Sequence, residues 1–105
     1  MLNKTQEYIK NGVPVICEAA LSYNGYYCAL DILKKDGEGW NIYEVKDFPT
    51  VEEQFIQDVA FQRYIAYMSG LIIKKCFIIY HSADEKNPFI IKDVTERADG
   101  YHKYN

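Results

Sequence analysis

Residues 29–46, ALDILKKDGEGWNIYEVK, decide the reading of this chain. Both ends of the segment suit β-strands, and the cluster Asp36-Gly37-Glu38-Gly39 interrupts them. Two strands joined by a tight turn satisfy both facts. A strand alternates its side chains between two faces. Tyr27, Ala29, Asp31 and Leu33 then share a face of the first strand, and Trp40, Ile42, Glu44 and Lys46 share a face of the second. Each of these faces carries one acid among apolar or small neighbours. The second adds a lysine two positions beyond its acid.

The same pattern extends upstream. VPVICEAALSY (13–23) reads as a strand, with Val13, Val15, Cys17, Ala19 and Leu21 on one face and Ile16, Glu18 and Ala20 on the other. Asn24-Gly25 is the strongest short hairpin signal. Residues 13–46 therefore predict a three-strand meander. Before it, NKTQEYIKNG predicts a short helix, with Asn3 and Gln6 at capping-box spacing and Gly12 at the stop. Downstream, PTVEEQFIQDVAFQRYIAYMSG (49–70) predicts a longer helix with a Thr50–Glu53 capping box and a Gly70 stop. Its apolar stripe of Phe55, Val59 and Ala66 also contains Gln62. LIIKKCFIIYH and FIIKDVT predict two more strands around the loop SADEKNP. The tail ERADGYHKYN carries no readable periodicity. The expectation is one α/β domain over residues 1–105, with an αβββαβ core and one mixed central sheet flanked by helices.

Composition narrows the classes. The 105 residues are 49% hydrophobic and 26% charged, which suits a globular domain. The net charge of −3 does not announce a nucleic-acid binder, although a local groove can be basic in an acidic protein. Three cysteines at unpaired spacings, Cys17, Cys28 and Cys76, predict reduced thiols in a cytoplasmic protein and no four-cysteine metal site. No apolar run suggests a signal peptide or a membrane span.

Glu18, Asp31 and Glu44 place one acid in each of three successive strands. An unpaired buried carboxylate costs several kcal/mol, on the order of what a partner or a metal must offset. If the hairpins bring the three into register, an oxygen donor set forms that suits Mg2+ or Mn2+. Lys46 then points into the same place. The plainer alternative is that these acids face water and that Glu44 and Lys46 form a surface pair worth ~0–1 kcal/mol.

The acid, turn, acid-x-Lys arrangement of residues 29–46 resembles the signature of the PD-(D/E)XK nuclease superfamily, with Asp31, Glu44 and Lys46 on its positions. The helix segment DVAFQRYIAY is similar to the glutamine-bearing helix of RecB-like and CRISPR-associated RecB-like exonucleases, and Gln62 matches that glutamine. The resemblance implies a restriction-endonuclease-like fold and Mg2+- or Mn2+-dependent hydrolysis of phosphodiester bonds in DNA. It implies that Asp31, Glu44 and the carbonyl of Val45 hold the metal, with Glu18 as an additional acid. Lys46 would act beside the attacking water, and Gln62 would order the site or touch the DNA backbone. DNA ends or single strands are the implied substrates. A chain this short would need a homodimer or a larger partner protein to hold a duplex. The sequence departs from the pattern at Ala66, where RecB-like members often carry a tyrosine, and the other expectation is a nuclease-fold module that binds or assembles without cutting.

Other residues carry less. His81 and His102 lack a partner at metal-ligand spacing. Lys74–Lys75 suits either a phosphate contact or an exposed strand edge. Tyr23, Tyr26 and Tyr27 suit either base stacking or rim packing. Cys17 and Cys28 read as inert, buried thiols.

Overall fold

The computed structural model describes residues 2–102. The elements in chain order are α1 (Leu2–Lys10), β1 (Val15–Tyr23), β2 (Tyr26–Asp36), β3 (Gly39–Lys46), α2 (Glu53–Met68), β4 (Ile73–His81), β5 (Phe89–Asp93) and α3 (Thr95–His102). The five strands form one mixed sheet in the order β1-β2-β3-β4-β5. All neighbours are antiparallel except β3 and β4, which run parallel because α2 carries the chain across between them. The α/β class and the helix, meander, helix, strand order are as the sequence predicts.

Turn chemistry sets the hairpins. Asn24 (φ 50) and Gly25 (φ 85) both take positive φ, as the two central residues of a type I′ turn must. At the second turn, Asp36 pairs with Gly39. A Cβ at Gly39 would lie 2.9 Å from the Ile72 carbonyl oxygen. Its absence lets the backbone come close enough for the Trp40 N–H to donate to that oxygen at 2.8 Å.

α2 lies against β1 to β4. It buries Phe55, Ile56, Val59, Ala60, Gln62, Ile65 and Ala66, so all four predicted stripe positions face inward. Leu21, Leu30, Leu33, Ile42 and Ile78 meet them from the sheet. α1 closes the outer edge of β1, where the Ala20 N–H donates to the buried Thr5 hydroxyl at 2.9 Å. α3 packs beside α2 through the Arg63–Asp99 ion pair (3.0 Å) and buries Ala98. The opposite sheet face is open at Val45, Phe89 and Ile91, and the half-buried rings of Tyr43 and Phe77 stack there 4.7 Å apart.

Several expectations are corrected. Asn3 lies inside α1 rather than at its cap. At α2 the cap position is Glu52, with no side-chain cap, and Thr50 donates its hydroxyl to the Glu52 carboxylate. Glu53 is drawn away to α3, where Arg97 and Tyr101 donate to it. The last strand ends at Asp93. The Asp93 carboxylate accepts the Thr95 N–H (2.9 Å) at the turn into α3, a helix that the tail's polar sequence conceals.

β1 departs most. Glu18 has φ 53, in the left-handed region. The register continues through it, with Cys17 opposite Ile32 and Ala19 opposite Leu30. The strand therefore rotates without gaining a residue. Before Glu18 the buried residue is Ile16; after it Ala19 and Leu21 join the core, and Ala20 is buried under α1. Cys17, expected in the core, is left exposed, while Cys28 and Cys76 are buried.

Candidate active site

The β2–β3 ladder ends at Ile32 opposite Tyr43. One step further along the same register, Asp31 faces Glu44. Here the Val45 N–H donates to the Asp31 carboxylate at 2.8 Å. Strand pairing thus gives way to a backbone-to-carboxylate bond at the two acids. Glu44 is 6% exposed beneath α2, and its carboxyl is hydrogen-bonded to that of Asp31.

Helix α2 supplies the roof. The Gln62 amide donates to Glu44 Oε2, and Gln62 is itself 8% exposed. Its Oε1 is buried with no hydrogen-bond partner among the described residues. Lys46, on the same strand face as Glu44, turns toward the helix. Its Nζ lies 3.2 Å from Asp58 Oδ2 and 5.0 Å from the centroid of the Phe55 ring.

Burial pushes the Glu44 carboxyl up to about 8 from its ordinary 4.5. Within that net rise the Asp31 hydrogen bond adds to the effect of burial, the Gln62 amide opposes it, and the charges of Asp31 and Lys46 pull in opposite senses. The rise favours the protonated form of Glu44 at neutral pH when no cation is present. Burial, then the Glu44 charge, pushes the Cys28 thiol up to about 11, which keeps it protonated and unreactive as expected.

The residues fit a hard divalent cation. The donors are oxygens only: the two adjacent carboxyls and the neighbouring Val45 backbone. Each carboxyl keeps one oxygen beyond those that accept from Gln62 and Val45. A buried acid held against a second acid needs a positive species beside it, a proton or an ion.

The predicted site is brought together only in part. Asp31, Glu44, Lys46 and Gln62 converge. Glu18 does not. It stands opposite Asp31 by register, but its side chain is exposed and makes no hydrogen bond or ion pair to the others. Among the described residues no three His, Cys, Asp or Glu side chains gather as a metal-binding group. The Val45 side chain lies on the open face at 46% exposure. The alternation that puts Glu44 beneath α2 requires this.

Asp58 was not among the predicted site residues. The signal was present: Phe55, Asp58 and Gln62 recur at spacings of three and four, so one helix face carries all three. Ala66 faces the core, and the nearby Tyr64 packs edge-on against Tyr23, 6.4 Å between ring centres. Tyr26 and Tyr27 are exposed near the hairpin tip, with Tyr26 edge-on to Phe61. Lys74 and Lys75, both exposed, line a cavity of about 460 Å3 with Asp93, Thr95 and Arg97. That cavity lies toward the opposite end of β4 from Ile78, the residue beside Glu44. His81 is exposed beside Phe89. The His102 side chain and residues 103–105 lie outside the described residues.

Among the described residues, no helix is long and apolar enough to cross a membrane. No family model matches the chain, and no curated protein matches it.

Proposed function

We propose that the chain is a divalent-metal-dependent deoxyribonuclease that hydrolyses phosphodiester bonds in DNA ends or single strands. One observation carries the reading: the buried Glu44 carboxyl lies against the half-buried Asp31 carboxyl, with Lys46 on the same strand face as Glu44. Asp31, Glu44 and the Val45 carbonyl would hold Mg2+ or Mn2+. When bound, the ion supplies positive charge against the phosphate and acidifies water.

The chain's own residues do the rest. Glu44 would give up its proton in holding a cation, so its raised pKa couples the site to pH. Gln62 fixes the Glu44 rotamer and offers its unpaired Oε1 as an acceptor for a donor in the site. Lys46 presents its ammonium to the water or to the charge that builds on phosphate. Asp58 and the Phe55 ring hold the lysine stem. Glu18, across the strand pair from Asp31, serves as an outer acid at the rim. DNA hydrolysis implies a role such as DNA repair.

The second reading, a nuclease-fold module that binds DNA or assembles a partner without cutting, is favoured by the engagement of Lys46 Nζ with Asp58. Cleavage assays separate the two. End-labelled linear duplex and single-stranded DNA are incubated with Mg2+ or Mn2+ and with wild-type or Lys46→Ala protein. The expected result is cleavage by the wild type and a loss of roughly 100-fold or more in the variant, as for removal of one charge-stabilising group. Equal background from both proteins overturns the enzyme reading.

A further inference from the structure

Among the described residues the sheet ends at β5, and every residue of that strand is exposed. Phe89 is 64% exposed, Ile90 38% and Ile91 60%. Natural sheets protect such edges with bulges, prolines or charges. β5 has none of these in its apolar part. Its register with β4 is regular from Phe77–Asp93 to His81–Phe89, Pro88 precedes it, and Lys92 and Asp93 come only at its end.

We propose that β5 is a homodimer interface, with β5 of a second copy adding antiparallel across a twofold axis at Ile90. The sequence of the strand selects both the occupant and the register. Centred on Ile90, the pairing sets Phe89 opposite Ile91 twice and Ile90 opposite itself, so each apolar residue meets an apolar residue. Centred on Ile91, it would set Asp93 against Phe89 and Lys92 against Ile90. A shift by one residue would put opposed side chains on different faces. The strand is thus complementary to its own copy in one register.

The area sets the strength. A five-residue ladder at ~3.3 Å per residue, with side chains on both faces, offers on the order of 300–400 Å2 per partner. Stable interfaces take roughly 800 Å2 per partner, so this dimer belongs to the transient class, with dissociation constants of about 10 µM to 1 mM. The ten-stranded sheet that results carries both carboxylate pairs on one face, about five strand spacings or ~24 Å apart across it. The dimer does not depend on the nuclease reading.

Sedimentation equilibrium from about 10 µM to 1 mM, the range set by that area, tests it. The mass should rise with concentration from the 12.3 kDa monomer toward twice that value. The Ile91→Lys variant should stay monomeric throughout with an unchanged circular dichroism spectrum. In a Cys17→Ser background, Ile90→Cys should oxidise to a covalent dimer, because opposite residues bring Cα atoms to about 4.5–5.5 Å, within disulfide range. Phe89→Cys should not, because its copies sit two residues out of line. A wild-type chain monomeric at every concentration overturns the proposal. Equal cross-linking at positions 89 and 90 overturns the register and with it the interface.

Discussion

The carboxylate pair and the β5 edge break the same rule in opposite directions. Under α2 the fold buries Glu44, a residue type that ordinarily stays in water unless paired. At β5 it leaves Phe89, Ile90 and Ile91 in water, residue types that ordinarily stay inside. The two places lie only two strands apart in one sheet. The difference between them is cover: α2 closes one face, and nothing among the described residues closes the edge. Each violation points to something outside the monomer, a cation in one case and a second strand in the other.

The largest expected effect is at the buried acid. The pKa of Glu44 is raised from 4.5 to about 8 in the fold, so between those values the native state holds a proton that the unfolded chain has lost. Without a cation, the contribution of Glu44 to stability is therefore fully present below about pH 4.5 and is lost as pH rises toward 8, by on the order of a few kcal/mol. Urea unfolding in EDTA across this window should show the fall in the wild type. Glu44→Gln should be nearly flat and more stable than the wild type at pH 9. A wild type as flat as the variant would mean that Glu44 is not held in this way.

The smallest effect is at the exposed edge. Phe89→Thr should change the stability of the dilute monomer by no more than about 0.5 kcal/mol, the range for surface positions, when followed by urea unfolding. A loss of about 2 kcal/mol or more would show that Phe89 is covered in solution and would erase the contrast between the two regions.

The sequence makes one region far more legible than the other. Asn24-Gly25 is readable because few pairs accept two positive φ values in succession. Gln62 is readable because a polar residue on an apolar helical stripe stands out against a period of 3.6. Glu44 follows from period-two alternation once the turn at Gly37-Glu38 sets the register, whereas β2 breaks its alternation at Asp31, with Cys28 and Leu30 buried before it and Leu33 after it. Glu18 stands apart from the pair for a conformational reason: alternation assumes extended backbone, and a left-handed residue turns the next side chains to the other face while keeping the register. That single φ also exposes Cys17. The Thr50–Glu53 cap fails because Arg97 and Tyr101, more than forty residues away in sequence, compete for the same carboxylate. No local motif registers such competitors. FIIKD reads as a strand correctly, yet its pattern cannot say that every one of its residues is left exposed.

The central claim is that Asp31 and Glu44 form one cation site. Titration calorimetry with Mn2+ near pH 7, in two buffers of different ionisation enthalpy, tests it without recourse to cleavage. The account predicts one ion per chain, binding lost in Asp31→Asn, and release of a proton from the carboxyl pair as the ion enters. Binding that is unchanged in Asp31→Asn, or no binding at millimolar Mn2+, would contradict it.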